Sequence, residues 1–355
     1  MKNIPINKGN YDMDTDERRR AFGENIGAGW EDEYRAYREN WARYAKEQIV
    51  AEYPLLVDLE LSSLCNLSCP MCYTITEEFK KKVNATLMEF PLFCKVVDEI
   101  SGKVPALRLS LRGEPTLHPQ LIDCIAYAKE KNIKEISFLT NGSALNEEMI
   151  HSLIAAGLDW ITVSVDGTGA MYESVRKPLK FQDTLNSLKL LKEIKDQLGT
   201  KRPVVKVQSI WPAIRNNPEE FYNVFKECTD LIAFNPLIDY LGNDTDIEYE
   251  KGFSCPQLYQ RIVVAADGAM MMCSNDEENS MVLGNAYVDS LHSVWHGEKL
   301  NEIRCKQKEE GGFMEFGVCR RCYLPRLTES EEEFSINGET YKIQNYVKRS
   351  QKVGE

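Results

Sequence analysis

The chain has 355 residues, a net charge of −12 and a pI near 5.1, with 43% hydrophobic and 28% charged residues. That length buries one large α/β domain and a smaller one, and that composition belongs to a folded globular protein rather than a disordered one. The acidic balance argues against nucleic acid or an anionic membrane as the main partner.

The opening Met1-Lys-Asn-Ile-Pro-Ile-Asn-Lys8 has no apolar signal core, and no later run reaches membrane-spanning length, so a cytoplasmic protein is expected. Eleven cysteines in such a chain point to metal ligation in a reducing compartment rather than to disulfides. Residues 1–53 read as a polar N-terminal extension with one helix, on which Trp30, Tyr34, Tyr37, Trp41 and Tyr44 form an aromatic stripe. Docking of that stripe on the main domain is the plainer expectation. A lid over substrate or partner is the other.

Across residues 54–245 strands and helices alternate. Strands are expected at Leu55–Leu61, Ala106–Leu111, Glu135–Thr140, Trp160–Val165, Val204–Ile210 and Leu231–Leu237. Helices are expected at Gln120–Lys131, Glu147–Ala156, Gln182–Gln197 and Pro218–Cys228. Such alternation predicts a parallel sheet with right-handed crossovers.

Directly after the first strand comes Cys65-Asn-Leu-Ser-Cys69-Pro-Met-Cys72, followed by Tyr73. Three thiolates hold three irons of a cubane and leave the fourth open, whereas a fourth cysteine would close the cluster into an electron carrier. Zinc usually wants a fourth nearby Cys or His, and no histidine stands close to this loop. The stretch resembles the radical S-adenosylmethionine (radical SAM) superfamily, whose signature is a C-x3-C-x2-C loop after the first barrel strand, with Met71 at the variable apolar position. The resemblance implies an α/β fold, a partial (β/α)6 barrel with its active site at the C-terminal strand ends, followed by a small Cys-rich domain. It implies a [4Fe–4S] cluster on Cys65, Cys69 and Cys72 that binds S-adenosylmethionine (SAM), with Met71 and Tyr73 beside the cofactor.

Further strand ends continue the likeness. Arg112-Gly-Glu-Pro after the second strand resembles the family's Gly-Gly-Glu motif, so Gly113 and Glu114 are expected at the SAM amino group, with Arg112 replacing the usual first glycine. Asn141 lies in the Thr140-Asn-Gly-Ser143 turn that the family often places near SAM. Ser164 and Asp166 close the fourth strand, and the resemblance implies Ser164 near the ribose and Arg176 at the carboxylate. Asp166 serves equally well as a turn cap, and Arg176 as a surface charge. On the fifth strand, Lys206 and Gln208 are polar positions on an apolar strand, which places their set in the lumen with Gln208 as first choice for a SAM or substrate contact. Asp239 and Tyr240 follow the sixth strand and are candidate substrate contacts.

Past residue 246 the pattern turns to loops and short strands. Cys255, Cys273 and the pair Cys319-Arg-Arg-Cys322 supply four thiolates, a set that fits either a closed iron–sulfur cluster or a structural zinc site. Given the first motif, residues 246–328 resemble the SPASM/twitch subgroup, and the lack of further cysteines after Cys322 fits the twitch form with one auxiliary [4Fe–4S] cluster. Residues 329–355 form a tail with a hairpin around Asn337-Gly338. Cys94, Cys124 and Cys228 read as core residues, and His292 and His296 as packing or capping residues without a third ligand.

The resemblance thus implies an oxidoreductase that abstracts a hydrogen atom from a small hydroxylated, sugar- or aminocyclitol-like substrate. The auxiliary cluster would accept the second electron, and an external reductant such as flavodoxin or ferredoxin would supply the first. Epimerisation, with Cys305 as hydrogen donor, and modification of a ribosomal peptide are the alternatives. A two-cluster electron carrier or zinc module is the non-enzyme alternative, and it has no need of Glu114, Ser164 or Arg176.

Overall fold

The computed structural model describes residues 2–5, 11–235, 237–238, 246–349 and 353, with backbone alone at 2–5, 330 and 331. Asp239 and Tyr240 lie outside the described residues. Six parallel strands, Leu56–Leu59, Ala106–Arg108, Glu135–Thr140, Trp160–Ser164, Val204–Ile210 and Leu231–Asn235, lie side by side in chain order. Helices Phe90–Ile100, Leu121–Glu130, Glu147–Ala156, Phe181–Leu198 and Pro218–Phe225 connect them. The first of these, absent from the sequence reading, turns Leu92, Phe93, Val96, Val97 and Ile100 inward.

Strand alternation sorts the side chains. Val57, Leu59, Leu107, Phe138, Val163 and Val207 enter one core shared with the helices, each contributing about 1.5–3 kcal/mol by burial. Asp58, Glu60, Arg108, Ser110, Thr162, Ser164, Lys206 and Gln208 sit on the opposite face, which is the barrel lumen.

The sheet does not stop at the sixth strand. Arg261–Val264 lies parallel to the first strand, with Leu56 opposite Arg261 and Leu59 opposite Val264. The expected hairpin follows: Gly268, at φ +86°, turns the chain into Ala269–Met271, and Val282–Asn285 adds the next antiparallel strand. Tyr11–Asp12 pairs antiparallel with the sixth barrel strand at the other edge, completing ten strands. The boundary expected at 245/246 is therefore no break in the sheet.

Helix Glu31–Glu47 packs its aromatic stripe against the entry ends of the strands. Trp30 and Tyr37 bury against Leu55, Leu56 and Ala106, and the Arg261 guanidinium lies 5.1 Å from the Trp41 ring centroid. This helix thus covers the end of the barrel opposite the cysteine loop, the arrangement the docking expectation describes. Nearby, Glu135 accepts from Trp160 Nε1 at 3.0 Å, and burial pushes its carboxyl up to about 7.

At the C-terminus Thr328–Ile336 and Glu339–Tyr346 form the expected hairpin, with Asn337 and Gly338 both at positive φ. Its Phe334 stacks on Trp211 with ring centroids 5.0 Å apart, and Lys2–Pro5 pairs with its second strand. His292 and His296 face each other at 4.6 Å, and His296 Nε2 lies 2.9 Å from the Glu52 carbonyl, a packing role.

Candidate functional site

After the first strand the chain runs as the loop 65–72 at the C-terminal mouth of the barrel. Leu67, Cys69 and Met71 bury against Val175 and Leu237, and Val353 from the tail reaches the same group. These dry surroundings push the Cys69 thiol up to about 11, with Arg176 opposing. Cys65 and Cys69 each feel the charge of Cys72. Tyr73 opens the next turn and meets the Phe79 ring edge-on at 5.5 Å.

The glycine–glutamate turn docks on this loop. Glu114 N donates to the Leu64 carbonyl at 2.8 Å, and a Cβ on Gly113 would stand 2.3 Å from that carbonyl oxygen and 2.5 Å from the Ser62 one. Only glycine permits the approach. Glu114 is 2% exposed, and its Oε1 accepts from Thr116 N at 3.1 Å, Thr116 Oγ1 at 2.6 Å and Thr140 Oγ1 at 2.7 Å. Among the described residues its Oε2 accepts only from Asn141 N, at 2.7 Å. A carboxylate offers about four lone-pair sites, which leaves Oε2 room for a cationic ligand group. Asn141 Nδ2 donates to Asn66 Oδ1 at 2.8 Å, tying the Thr140–Ser143 turn to the cysteine loop.

Arg176 is not a surface charge. Its Nε lies 2.6 Å from Asp166 Oδ2, Asp166 Oδ1 accepts from Ile210 N at 3.0 Å, and Arg176 Nη1 lies 3.9 Å from Cys69 Sγ. Asp166 therefore holds a guanidinium at the cysteine loop rather than merely capping a turn. Ser164 stands opposite Gln208 in register, both on the lumen face.

Arg112 has a structural explanation. Its Nε and Nη2 bond Glu60 Oε1 and Oε2 at 2.8 and 2.5 Å, while Nη1 bonds Asn279 Oδ1 at 2.7 Å and the Glu277 carbonyl at 3.2 Å. One side chain thus spans the first strand, the Glu114 turn and the segment after Cys273.

The second cysteine set also comes together. Cys255, Cys273, Cys319 and Cys322 line one small cavity of about 10 Å³, otherwise walled by Phe253, Met272 and Val318 among others. Burial pushes Cys255 up to about 11 and Cys322 up to about 12. By donor chemistry alone these four thiols fit either a closed iron–sulfur cluster or a structural zinc ion.

Sequence reasoning missed the donors to these sulfurs. Gln307 Nε2 lies 3.3 Å from Cys319 Sγ while its Oε1 accepts from Cys255 N at 3.0 Å, and Asn275 Nδ2 lies 3.3 Å from Cys322 Sγ. No local pattern marks either residue. Cys305 is exposed on helix Glu298–Lys306, whose inward residues are Leu300, Ile303 and Arg304, so the structure does not bring it to the lumen.

Residues 59–229 match the family profile described as radical SAM superfamily, and residues 255–323 match SPASM, an iron–sulfur cluster-binding domain. A probable GTP 3',8-cyclase of Methanococcus maripaludis is 32% identical over 291 residues, 71% of this chain and 94% of that protein. A tungsten-containing aldehyde ferredoxin oxidoreductase cofactor-modifying protein of Pyrococcus furiosus is 29% identical over 156 residues, 43% of this chain and 42% of that protein, less than half of its length. Among solved structures, BtrN in complex with AdoMet and 2-DOIA aligns at TM-score 0.53 and 17% identity, covering 77% of this chain and 94% of that one. Streptococcus suis SuiB bound to precursor peptide SuiA aligns at TM-score 0.53 and 14% identity, covering 82% and 75%. These two likenesses are of fold. No helix among the described residues is long and apolar enough to cross a membrane.

Proposed function

Because the chain belongs to the radical SAM superfamily and carries a SPASM/twitch domain after its barrel, we propose that it oxidises a small hydroxylated, sugar- or cyclitol-like substrate at a carbinol carbon. Its cofactors are SAM, a [4Fe–4S] cluster that binds it, and an auxiliary cluster. In this reading Cys65, Cys69 and Cys72 hold the first cluster, and Cys255, Cys273, Cys319 and Cys322 the second. With an external carrier such as flavodoxin or ferredoxin as reductant, the bound cluster and SAM would supply the chemistry that takes a hydrogen atom from a C–H bond.

The chain's own residues orient and shield. Glu114 Oε2 takes the ammonium group of SAM, and Arg176, held by Asp166, takes its carboxylate. Asn141 and Ser164 border the nucleoside, with Met71 and Tyr73 beside it. The apolar group around Leu67 and Met71 keeps water from the reacting atoms. Gln208, next to Ser164, contacts the substrate from the lumen wall.

Loss of a hydrogen atom and a proton from a carbinol leaves one electron to be removed. The observation that carries the oxidation is the cavity lined by four thiols: a set that closes every iron suits electron acceptance and leaves no place for substrate. The test is iron and sulfide per chain in anaerobically reconstituted protein, with 5′-deoxyadenosine formation measured beside it. About eight irons are expected, falling to about four when Cys65, Cys69 and Cys72 become Ala, with loss of SAM cleavage. The Cys255→Ala/Cys273→Ala variant should still cleave SAM but release no oxidised product. About four irons in the parent protein, with zinc in the second site, refutes the oxidation.

A further inference from the structure

Below the strand ends the lumen wall carries more positive than negative charge. Asp58, fully buried, faces two guanidinium groups, with Arg108 Nε at 2.7 Å and Arg261 Nη1 at 3.2 Å. The fifth strand adds Lys206, 6% exposed, whose Nζ lies 5.9 Å from the Trp160 ring centroid. Lys206 has no hydrogen bond or ion pair among the described residues, and its neighbour Arg108 repels it. The acidic neighbours are committed elsewhere. Asp12, which attracts Lys206, is bound by Arg19 at 2.5 Å, and Glu60 is held by Arg112. Glu135 accepts from Trp160 Nε1, and burial raises its carboxyl.

Arg108 and Arg261 therefore share one carboxylate, Asp58, and Lys206 stands beside Arg108 with no ion-pair partner among the described residues. The surplus stands inside a chain whose net charge is −12. A half-enclosed ammonium without a counter-ion is unfavourable, and burial of the side chain together with Arg108 pulls Lys206 down to about 8. An arriving anion removes that penalty by pairing with it.

We propose that the substrate is an anion, a hydroxylated skeleton whose carboxylate or phosphate group sits at Lys206 and Arg108 while its carbinol points to the mouth. This names the substrate class of the function proposed above and rests on that reading. Lys206 stands opposite Thr162, and Gln208 opposite Ser164. Two residues of strand separate these levels by about 7 Å, a span that a sugar-sized molecule covers. An aminosugar or aminocyclitol would bring a further positive charge to Lys206, so the neutral and acidic members of the class are favoured over the basic ones.

The test is calorimetric titration of reconstituted, SAM-loaded enzyme with gluconate, glucose 6-phosphate, glucose, glucosamine and inorganic phosphate. One or both anionic sugars should bind at least tenfold more tightly than glucose, glucosamine should bind least, and the better anion tells carboxylate from phosphate. Lys206→Met, which keeps the apolar stem, should cost at least tenfold for the anions and leave SAM affinity unchanged. Glucosamine or glucose binding as tightly as the anions overturns the proposal, as does a Lys206→Met variant with unaltered anion affinity. So does the absence of binding by every anion, inorganic phosphate included. The two readings fail separately. A neutral polyol oxidised with 5′-deoxyadenosine formation sinks the anion and keeps the oxidation, and Lys206-dependent anion binding without oxidised product does the reverse.

Discussion

The Arg112–Glu60 pair offers a direct measure of how the barrel is joined to the domain that follows it. Both side chains are buried, at 1% and 0% exposure, and Glu60 accepts from the Arg112 side chain twice. Arg112→Met keeps the aliphatic body and removes the guanidinium. Among the described residues Glu60 then retains as donors the backbone N of residue 112 at 3.1 Å and Ala266 N at 3.1 Å. Removing one member of a buried ion pair costs about 3–5 kcal/mol, because the other charge stays buried. The bonds to Asn279 and the Glu277 carbonyl are lost as well, so the Glu114 turn loses its link to the second domain. Glu60→Gln in the same background removes the stranded charge but keeps an acceptor for only one of the two amides, which donate to different oxygens, and should recover about 1 kcal/mol. Anaerobic urea unfolding of the reconstituted protein, followed by tryptophan fluorescence and far-UV circular dichroism, gives the three stabilities. A loss below about 1 kcal/mol in Arg112→Met, or a double variant no more stable than the single one, refutes the reasoning.

Gly113→Ala should weaken SAM binding about tenfold or more, since its Cβ has only backbone to displace; equilibrium dialysis with labelled SAM reads this, and unchanged affinity would be contrary. Gln307→Leu removes the N–H···S contact to Cys319. A contact of about 1 kcal/mol corresponds to about 40 mV in a one-electron couple, so the auxiliary cluster's potential should fall by that order in a redox titration followed by electron paramagnetic resonance. Glu135 has its pKa raised to about 7 from 4.5. Its contribution to stability is full below about pH 4.5 and is lost as pH rises through 7, by about 3 kcal/mol at most. Glu135→Gln should flatten that part of the stability–pH curve and make the protein more stable at pH 8, whereas an unchanged slope would place the titration elsewhere.

Much of this was legible from local pattern. The six strands announced themselves by apolar alternation, and the cysteine loop, the glycine–glutamate turn and the Thr140–Ser143 turn all stand at strand ends, where parallel topology gathers them. Lys206 and Gln208 showed their lumen position because polar residues on an apolar strand have one face to choose. What escaped depended on partners remote in sequence. Asp58 and Glu60 are visible inside an apolar run, but their cations come from the second strand, the turn after it and the strand at Arg261. Arg112 read as a departure from a motif until Glu60 supplied its reason. Gln307 and Asn275 carry no periodicity, because tertiary packing alone brings them to sulfur.

The strand Arg261–Val264 bears on how the molecule comes into being. During synthesis the first barrel strand has a neighbour on one side as soon as Ala106–Arg108 leaves the ribosome, but its other edge stays bare until residue 264 has emerged. For most of translation that edge is an open row of peptide donors and acceptors, and pairing across such a sequence distance is slow. A product cut near residue 250 would keep that bare edge permanently and should associate edge to edge with its own kind.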